Sequence, residues 1–199
     1  MSLLRKFQDL NNFVYNDNYY KLIFGKTKIG YVHRKIAKYL ILNVKGIFLS
    51  EQNIYFESTS EIKLKKIILK ITETLSEKKK FFIPSNELFS CRNTIDGKEF
   101  FKLDRKLVEY LGIRGYGVHL IAYIKKKNSY KLWVPKRNKN KLASPSKFDN
   151  SVAGGVRAGE GIFSALEREA YEEAGLKKKQ LNNVKLVGTL NYNWKNSPY

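Results

Sequence analysis

Apolar and polar positions alternate in short runs near the start of the chain and then give way to a helical period. Tyr20-Lys21-Leu22-Ile23-Phe24 and Lys45-Gly46-Ile47-Phe48-Leu49 have the pattern of strands. Residues 29–42 fit either period, and 32–40 reads as helical. Residues 58–77 predict an amphipathic helix: Ile62, Ile67, Leu69, Ile71 and Leu75 are set among charges, and Ser60 is a candidate cap. Residues 87–91 and 100–103 predict short strands around the turn Ile95-Asp96-Gly97. Residues 104–111 predict a short helix ended by Gly112, with Asp104-Arg105 as its start and a surface ion pair.

A new pattern begins after the glycines at 112 and 115. Residues 117–124 form one apolar run of strand type, 125–129 a turn and 130–135 a returning strand, which together predict a hairpin. A polar loop, 136–150, leads to a glycine-rich stretch and a second amphipathic helix. Gly112, Gly115 and Gly117 do not fit a dinucleotide-binding fingerprint and read as a hinge. Gly25-Lys26-Thr27 is no P-loop, because Tyr20 stands where its first glycine belongs. The chain therefore divides into a small α+β domain, 1–112, and a second domain, 113–199.

The 199 residues are enough for a sizeable core, and the 43% hydrophobic content is globular. No apolar stretch is long enough to span a membrane. The first residues lack a long apolar run and a small-residue cleavage site, so no signal peptide is expected. Cys91 is the single cysteine, which excludes an internal disulfide and suits a reducing, cytoplasmic location. His33 and Cys91 have no partner at informative spacing and read as structural.

The charge is extreme, 38 Lys and Arg against 18 Asp and Glu, for a net +20. A nucleic-acid surface is one reading. Compositional drift is the favoured one, since Asn, Ile, Phe and Tyr are also abundant. The runs Lys78-Lys79-Lys80, Lys125-Lys126-Lys127 and Lys177-Lys178-Lys179 do not alternate with aromatics. Either way, a positive field attracts an anionic, phosphate-bearing substrate.

The chemistry concentrates at 154–176, which reads Gly-Gly-Val-Arg-Ala-Gly-Glu-Gly-Ile-Phe-Ser-Ala-Leu-Glu-Arg-Glu-Ala-Tyr-Glu-Glu-Ala-Gly-Leu. A glycine-rich loop enters a helix of good helix formers, and Gly175 ends it. Helical spacing puts Glu169, Glu172 and Glu173 on one face, beside Arg168. Leu166, Ala170 and Ala174 form an adjacent apolar stripe that can pack on a sheet. Three crowded carboxylates repel one another and are relieved by a divalent cation; oxygen-only ligands select a hard ion, Mg²⁺ or Mn²⁺. Such an ion binds a diphosphate and activates water.

The stretch resembles the Nudix box. Gly154, Glu160, Arg168, Glu169, Ala170, Glu172, Glu173, Gly175 and Leu176 occupy its specified positions. The resemblance implies a mixed sheet between helices and hydrolysis of a diphosphate linkage. It makes Glu172 and Glu173 the principal metal ligands, and Glu169 a further ligand or the base that orients the attacking water. Arg168 would hold the carboxylates, Glu160 would support the loop or a metal-bound water, and the main chain at Ala153 and Gly154 would offer a carbonyl. The catalytic assignment is thus Glu169, Arg168 and Glu172; the metal set is Glu169, Glu172, Glu173 and Gly154.

Gly117-Val118-His119-Leu120, Leu132-Trp133-Val134-Pro135-Lys136-Arg137 and Phe148-Asp149-Asn150-Ser151-Val152-Ala153 look like the Nudix subfamily related to the domain fused to thiamine pyrophosphokinase. Ile29-Gly30-Tyr31-Val32 and Phe101-Lys102-Leu103-Asp104-Arg105 resemble the domain that precedes it. This implies conversion of thiamine diphosphate, or its oxidised analogues, to the monophosphate. Arg137, His119 and Trp133 are the substrate-binding candidates, weighed against a solvated arginine, a satisfied core histidine and a core tryptophan. Asp149-Asn150 is expected to shape the loop. The alternatives are a Nudix hydrolase of nucleoside diphosphate derivatives or capped RNA, supported by charge, and a non-catalytic binding fragment. Only 23 residues follow Leu176, with one strand expected at 184–190 and the start of another at 192–194. The chain accordingly reads as truncated at its C-terminus.

Overall fold

The computed structural model describes residues 11–77, 81–140 and 145–193. The Lys78-Lys79-Lys80 run and Trp194 lie outside the described residues. The chain divides into two compact units, Gly115–Val184 and the remainder on either side of it. The architecture is α+β, and no helix is long and apolar enough to cross a membrane.

The first unit is built on a four-stranded sheet in the order β2-β1-β4-β3. Its strands are β1 (Tyr19–Phe24), β2 (Thr27–His33), β3 (Ile47–Ser50) and β4 (Asn53–Phe56). β1 runs antiparallel to β2 and parallel to β4. Alternation sends Tyr20, Leu22, Val32, Ile54 and Phe56 into the core, where they meet helices α1 (Arg34–Asn43) and α2 (Glu61–Ser76). The ambiguous residues 29–42 are resolved as strand through His33 and helix thereafter. His33 makes the switch: it ends β2 and caps α1, its Nδ1 accepting the Lys35 amide at 3.3 Å.

On α2 the buried face is Leu64, Ile67, Ile68, Ile71 and Leu75. Ile62 and Leu69, expected inside, are exposed. They lie about 100° or more from the buried Ile67–Ile71 line. Ser60 is the cap residue, without a side-chain hydrogen bond.

The hairpin of β5 (Leu88–Cys91) and β6 (Phe101–Asp104) leads into α3 (Arg105–Tyr110). Buried Asp104 caps α3 at Lys106 and also accepts from the Ser85 and Asn86 amides, while Arg105 pairs with Glu87 at 2.9 Å. Burial, aided by Glu99, pushes the Cys91 thiol up to about 12, so it stays protonated and unreactive at neutral pH. Gly112, just before the division between the units at Gly115, is also a packing position. It has φ +57, and a Cβ there would lie 2.2 Å from the Tyr31 carbonyl oxygen.

In the second unit the apolar run 117–124 is not one strand. β7 (Gly117–Leu120) pairs with β10 (Val152–Gly155), whereas β8 (Tyr123–Lys126) pairs with β9 (Ser129–Leu132). The break falls at Ala122, whose amide donates to the Ser151 hydroxyl at 2.8 Å instead of to a strand. The hairpin itself is present, with a turn at Lys127 and Asn128, and every residue of its two strands is exposed.

Helix α4 (Ile162–Ala174) buries Ala165, Leu166, Glu169 and Ala170 and packs against β10 and β7. Ala174, expected on the packed stripe, is exposed in the last turn. Gly175 closes the helix at φ +64, its amide donating to the Tyr171 carbonyl at 3.0 Å. Residues 184–190, expected as a strand, pair with no strand among the described residues. Without a ladder partner an alternating segment has nothing to fix its extended form, and Leu186, Val187 and Leu190 are exposed.

Candidate active site

The site grows from the contact of α4 with one edge of β10. Backbone groups of a strand alternate between its two edges. The Val156 amide donates to the Tyr116 carbonyl at 2.9 Å, so residues 152, 154 and 156 address β7. Ala153 and Gly155 address the other edge, where no strand pairs among the described residues. Side chains of α4 bind there instead. Glu173 Oε2 accepts the Ala153 amide at 3.1 Å, and Arg168 Nη2 donates to the Gly155 carbonyl at 2.9 Å.

Arg168 is the hub. Its Nε and Nη2 form a two-pronged pair with the Glu160 carboxylate at 2.8 and 2.9 Å. Its Nη1 donates to Glu169 Oε1 at 2.6 Å and to Glu172 Oε2 at 3.4 Å. Glu160 lies in the loop before the helix, and the Arg157 amide donates to its Oε2 at 3.0 Å. The guanidinium thus ties the loop, the helix and the strand edge together.

Glu169 is 8% exposed, rare for a carboxylate without a partner. It fills the space over Gly154: a Cβ at that position would lie 1.8 Å from Glu169 Cδ. Only glycine lets this carboxylate reach the strand. Glu172 is about half exposed and also has Arg157 within 3.8 Å. Glu160, Glu169 and Glu172 therefore face two guanidinium groups while Glu173 meets a backbone amide, an excess of negative charge held by oxygen donors alone.

That donor set, with the space over Gly154 filled by a carboxylate, fits a hard divalent cation. The side chains are turned onto Arg168 and the Ala153 amide. Among the described residues no three or more His, Cys, Asp or Glu groups converge as a closed metal site. The exposed carboxylates Glu172 and Glu173 can turn toward an ion by changing rotamer. The Gly154 carbonyl, expected as a ligand, faces β7: its oxygen lies 3.0 Å from the Cβ position of Gly117. Strand alternation gives the carboxylate edge the Ala153 carbonyl instead.

Arg168 hydrogen bonds, reinforced by the Arg157 amide, hold the Glu160 carboxyl below its usual value of 4.5 despite burial. The carboxylates in turn push the Arg168 guanidinium up. A depressed folded pKa stabilises the fold above the unfolded value. Glu160 should therefore support stability fully above about pH 4.5, and that support should vanish as pH falls through its lower folded value. Urea midpoints measured from pH 7 to pH 3 should fall more steeply for the wild type than for Glu160→Gln.

Of the substrate candidates, His119 is turned away from this edge. His119 pairs in register with Ala153, while Val118 pairs with Gly154. Since Gly154 faces α4, His119 lies on the opposite face of the strand pair. It is exposed rather than a core residue, with its Nδ1 2.9 Å from Asn150 Nδ2. Arg137 pairs with Asp149, whose other oxygen accepts the Asn150 amide. Arg137, Asp149, Asn150 and His119 thus form a linked set that shapes the loop. Trp133 is 69% exposed, so it is not core; its carbonyl accepts from Ser151 at 2.6 Å. The sequence reading offered a main-chain carbonyl from either Ala153 or Gly154, and it missed Gly155 and Arg157. The Arg157 contact had a signal, since a three-residue step to Glu160 is turn spacing. The backbone edges had none without the strand register.

Residues 114–197 match the family model described as the NUDIX domain. This part of the chain is a NUDIX domain. The chain is similar to two Arabidopsis thaliana proteins, named Nudix hydrolase 24, chloroplastic, and Nudix hydrolase 20, chloroplastic. Identity to the first is 29% over 173 residues, covering 82% of this chain and 46% of the relative. Identity to the second is 30% over 178 residues, covering 82% and 47%. An uncharacterized Saccharomyces cerevisiae protein is 35% identical over 101 residues, 49% of this chain and 30% of its own length. The chain spans about half the length of the two Arabidopsis relatives. Their likeness extends beyond the NUDIX domain into the first unit, because the matched stretches exceed the length of residues 114–197.

Proposed function

We propose that the chain belongs to a pyrophosphohydrolase that cleaves a diphosphate linkage with Mg²⁺ (or Mn²⁺). The observation that carries the reading is the gathering of Glu160, Glu169 and Glu172 around Arg168, with Glu173 on the Ala153 amide, at the β10 edge. Glu172, Glu173 and the Ala153 carbonyl would hold the cation, with Glu169 as a further ligand or as the base. A bound divalent cation supplies charge neutralisation for the diphosphate and acidifies water.

The protein's own groups supply the rest. Glu169, pinned by Arg168 and by the strand at Gly154, is oriented to accept the proton of an attacking water. Water adds at phosphorus, the bridging P–O bond breaks, and the leaving phosphate takes the electron pair. The positive field of the chain favours entry of the anionic substrate.

Thiamine diphosphate, or its oxidised analogues, is the substrate we assign, with the monophosphate as product. The subfamily resemblance of residues 117–153 supports this. Nucleoside diphosphates and capped RNA are the competing substrates. Cytoplasm is the assigned compartment, supported by the buried thiol of Cys91; the two plant relatives carry the word chloroplastic in their names.

The test is phosphate release from thiamine diphosphate with Mg²⁺, in competition with nucleoside diphosphates. Thiamine diphosphate should be preferred, and Glu172→Gln and Glu173→Gln should each reduce release by about 100-fold or more, the usual scale for a misplaced reacting group. Equal release by these variants, or release without a divalent ion, would sink the reading.

A further inference from the structure

The first unit presents a sheet face that the proposed chemistry does not use. The strand register sets its rows. Tyr31, Lys21, Asn53 and Ser50 form one row across the four strands, and Lys28, Ile23, Tyr55 and Phe48 the next. Tyr19 and His33 continue the face at its far end. All lie opposite the side that carries Leu22, Val32 and Ile54 into the core.

The chemistry of this face is one-sided. β1 to β4 contain no Asp or Glu; Asp17, Glu51 and Glu57 flank them. The Lys28 ammonium sits 4.4 Å from the centre of the Tyr31 ring, and that of Lys21 lies 5.5 Å from the Tyr15 ring. Phe13 and Tyr15 cover the Tyr31 end, at 5.3 and 5.2 Å from its ring. At the other end Phe48 and Tyr55 stack face to face, 5.4 Å apart and 18° from parallel. Phe48 is 43% exposed, so this ring pair has a solvent-facing side. Lys21 stands on the diagonal from Tyr55 across adjacent parallel strands. The lysine runs in the sequence do not alternate with aromatics; strand pairing brings scattered lysines and rings together.

We propose that this face binds single-stranded nucleic acid. A base extends the Phe48–Tyr55 stack, while Lys21 and Lys28 meet the flanking phosphates. Charge complementarity supports this occupant: the chain carries net +20, and the strands of the platform bear cations alone. Stacking on aromatic faces beside lysines reads no base edge, so the binding is tolerant of sequence.

The test is fluorescence anisotropy of the full chain with a short fluorescein-labelled oligouridine, across a salt series. Phe48→Ala with Tyr55→Ala should weaken binding about tenfold or more. Phe48→Leu, which keeps apolar bulk without the ring and so preserves the fold, should weaken it in the same direction. Lys21→Glu with Lys28→Glu should lower the slope of log affinity against log salt by about 0.7 per lysine. Lys65→Glu with Lys66→Glu, exposed on α2, changes net charge equally and should leave most of the binding intact. The proposal is overturned if the α2 pair costs as much as the sheet pair, or if oligouridine fails to bind at low salt. It is also overturned if the ring variants change the mass in size-exclusion chromatography while oligouridine affinity stays the same, since the face then serves self-association.

Discussion

Gly154→Ala is expected to abolish turnover of the diphosphate substrate. A methyl group at this position would lie 1.8 Å from Glu169 Cδ and 2.1 Å from its Oε1. Such contacts are far inside van der Waals separation, so either the strand or the carboxylate must move. β10 is fixed on one side by its ladder with β7. Glu169 is the mobile partner, and its displacement also breaks the 2.6 Å contact with Arg168. A shift of about 1 Å in a reacting group costs roughly 100-fold in rate, which sets the least effect expected on kcat. Gly161→Ala is the matched control, because a Cβ there meets nothing within 4 Å. Steady-state phosphate release and circular dichroism of both variants make the check. A Gly154→Ala enzyme within a few-fold of wild type would mean that Glu169 has no place in the reaction.

Arg168→Gln should be the most destabilising single change in the second unit and should also inactivate it. The guanidinium serves Glu160, Glu169, Glu172 and the Gly155 carbonyl at once. Its side chain is 16% exposed, and those of Glu160 and Glu169 are 16% and 11% exposed, so the pairs are poorly hydrated. Removing one partner strands the other charges, a loss of about 3 kcal/mol. Lysine should not rescue the site, because a single ammonium cannot reproduce the fork that grips Glu160. Urea unfolding of Arg168→Gln, Glu160→Gln and the double variant tests this. The double variant should recover part of the loss, since Glu160 no longer needs a partner. Strict additivity would show that the two residues do not act as a pair.

Much of the local structure was legible along the chain. β1, β5, β6, the turn at Gly97 and the body of α2 followed from period and turn chemistry, which act over a few residues. The helix of the second unit, its closure at Gly175 and the shared face of Glu169, Glu172 and Glu173 were equally local, because helical spacing alone fixes them. Where the reading erred, a tertiary partner intervened. The 117–124 run split because Ser151 takes the Ala122 amide. Ile62 and Leu69 proved exposed because they lie away from the face of α2 that packs on β6 and α1, where Leu64, Ile67, Ile68 and Ile71 are buried.

Residue order along α4 is therefore enough to say that acidic groups share a face. It cannot say which backbone edge they meet. That depends on the pairing of β10 with β7, which turns the Gly154 carbonyl inward, leaves the Ala153 carbonyl and amide on the carboxylate side, and sends His119 to the opposite face. Strand register joins residues more than thirty positions apart, and a helical or alternating period carries no information at that range. The same limit explains the aromatic and basic face of the first unit. Lys21, Tyr31, Tyr55 and Phe48 are scattered in the chain, and hydrogen bonding between four strands is what gathers them onto one surface.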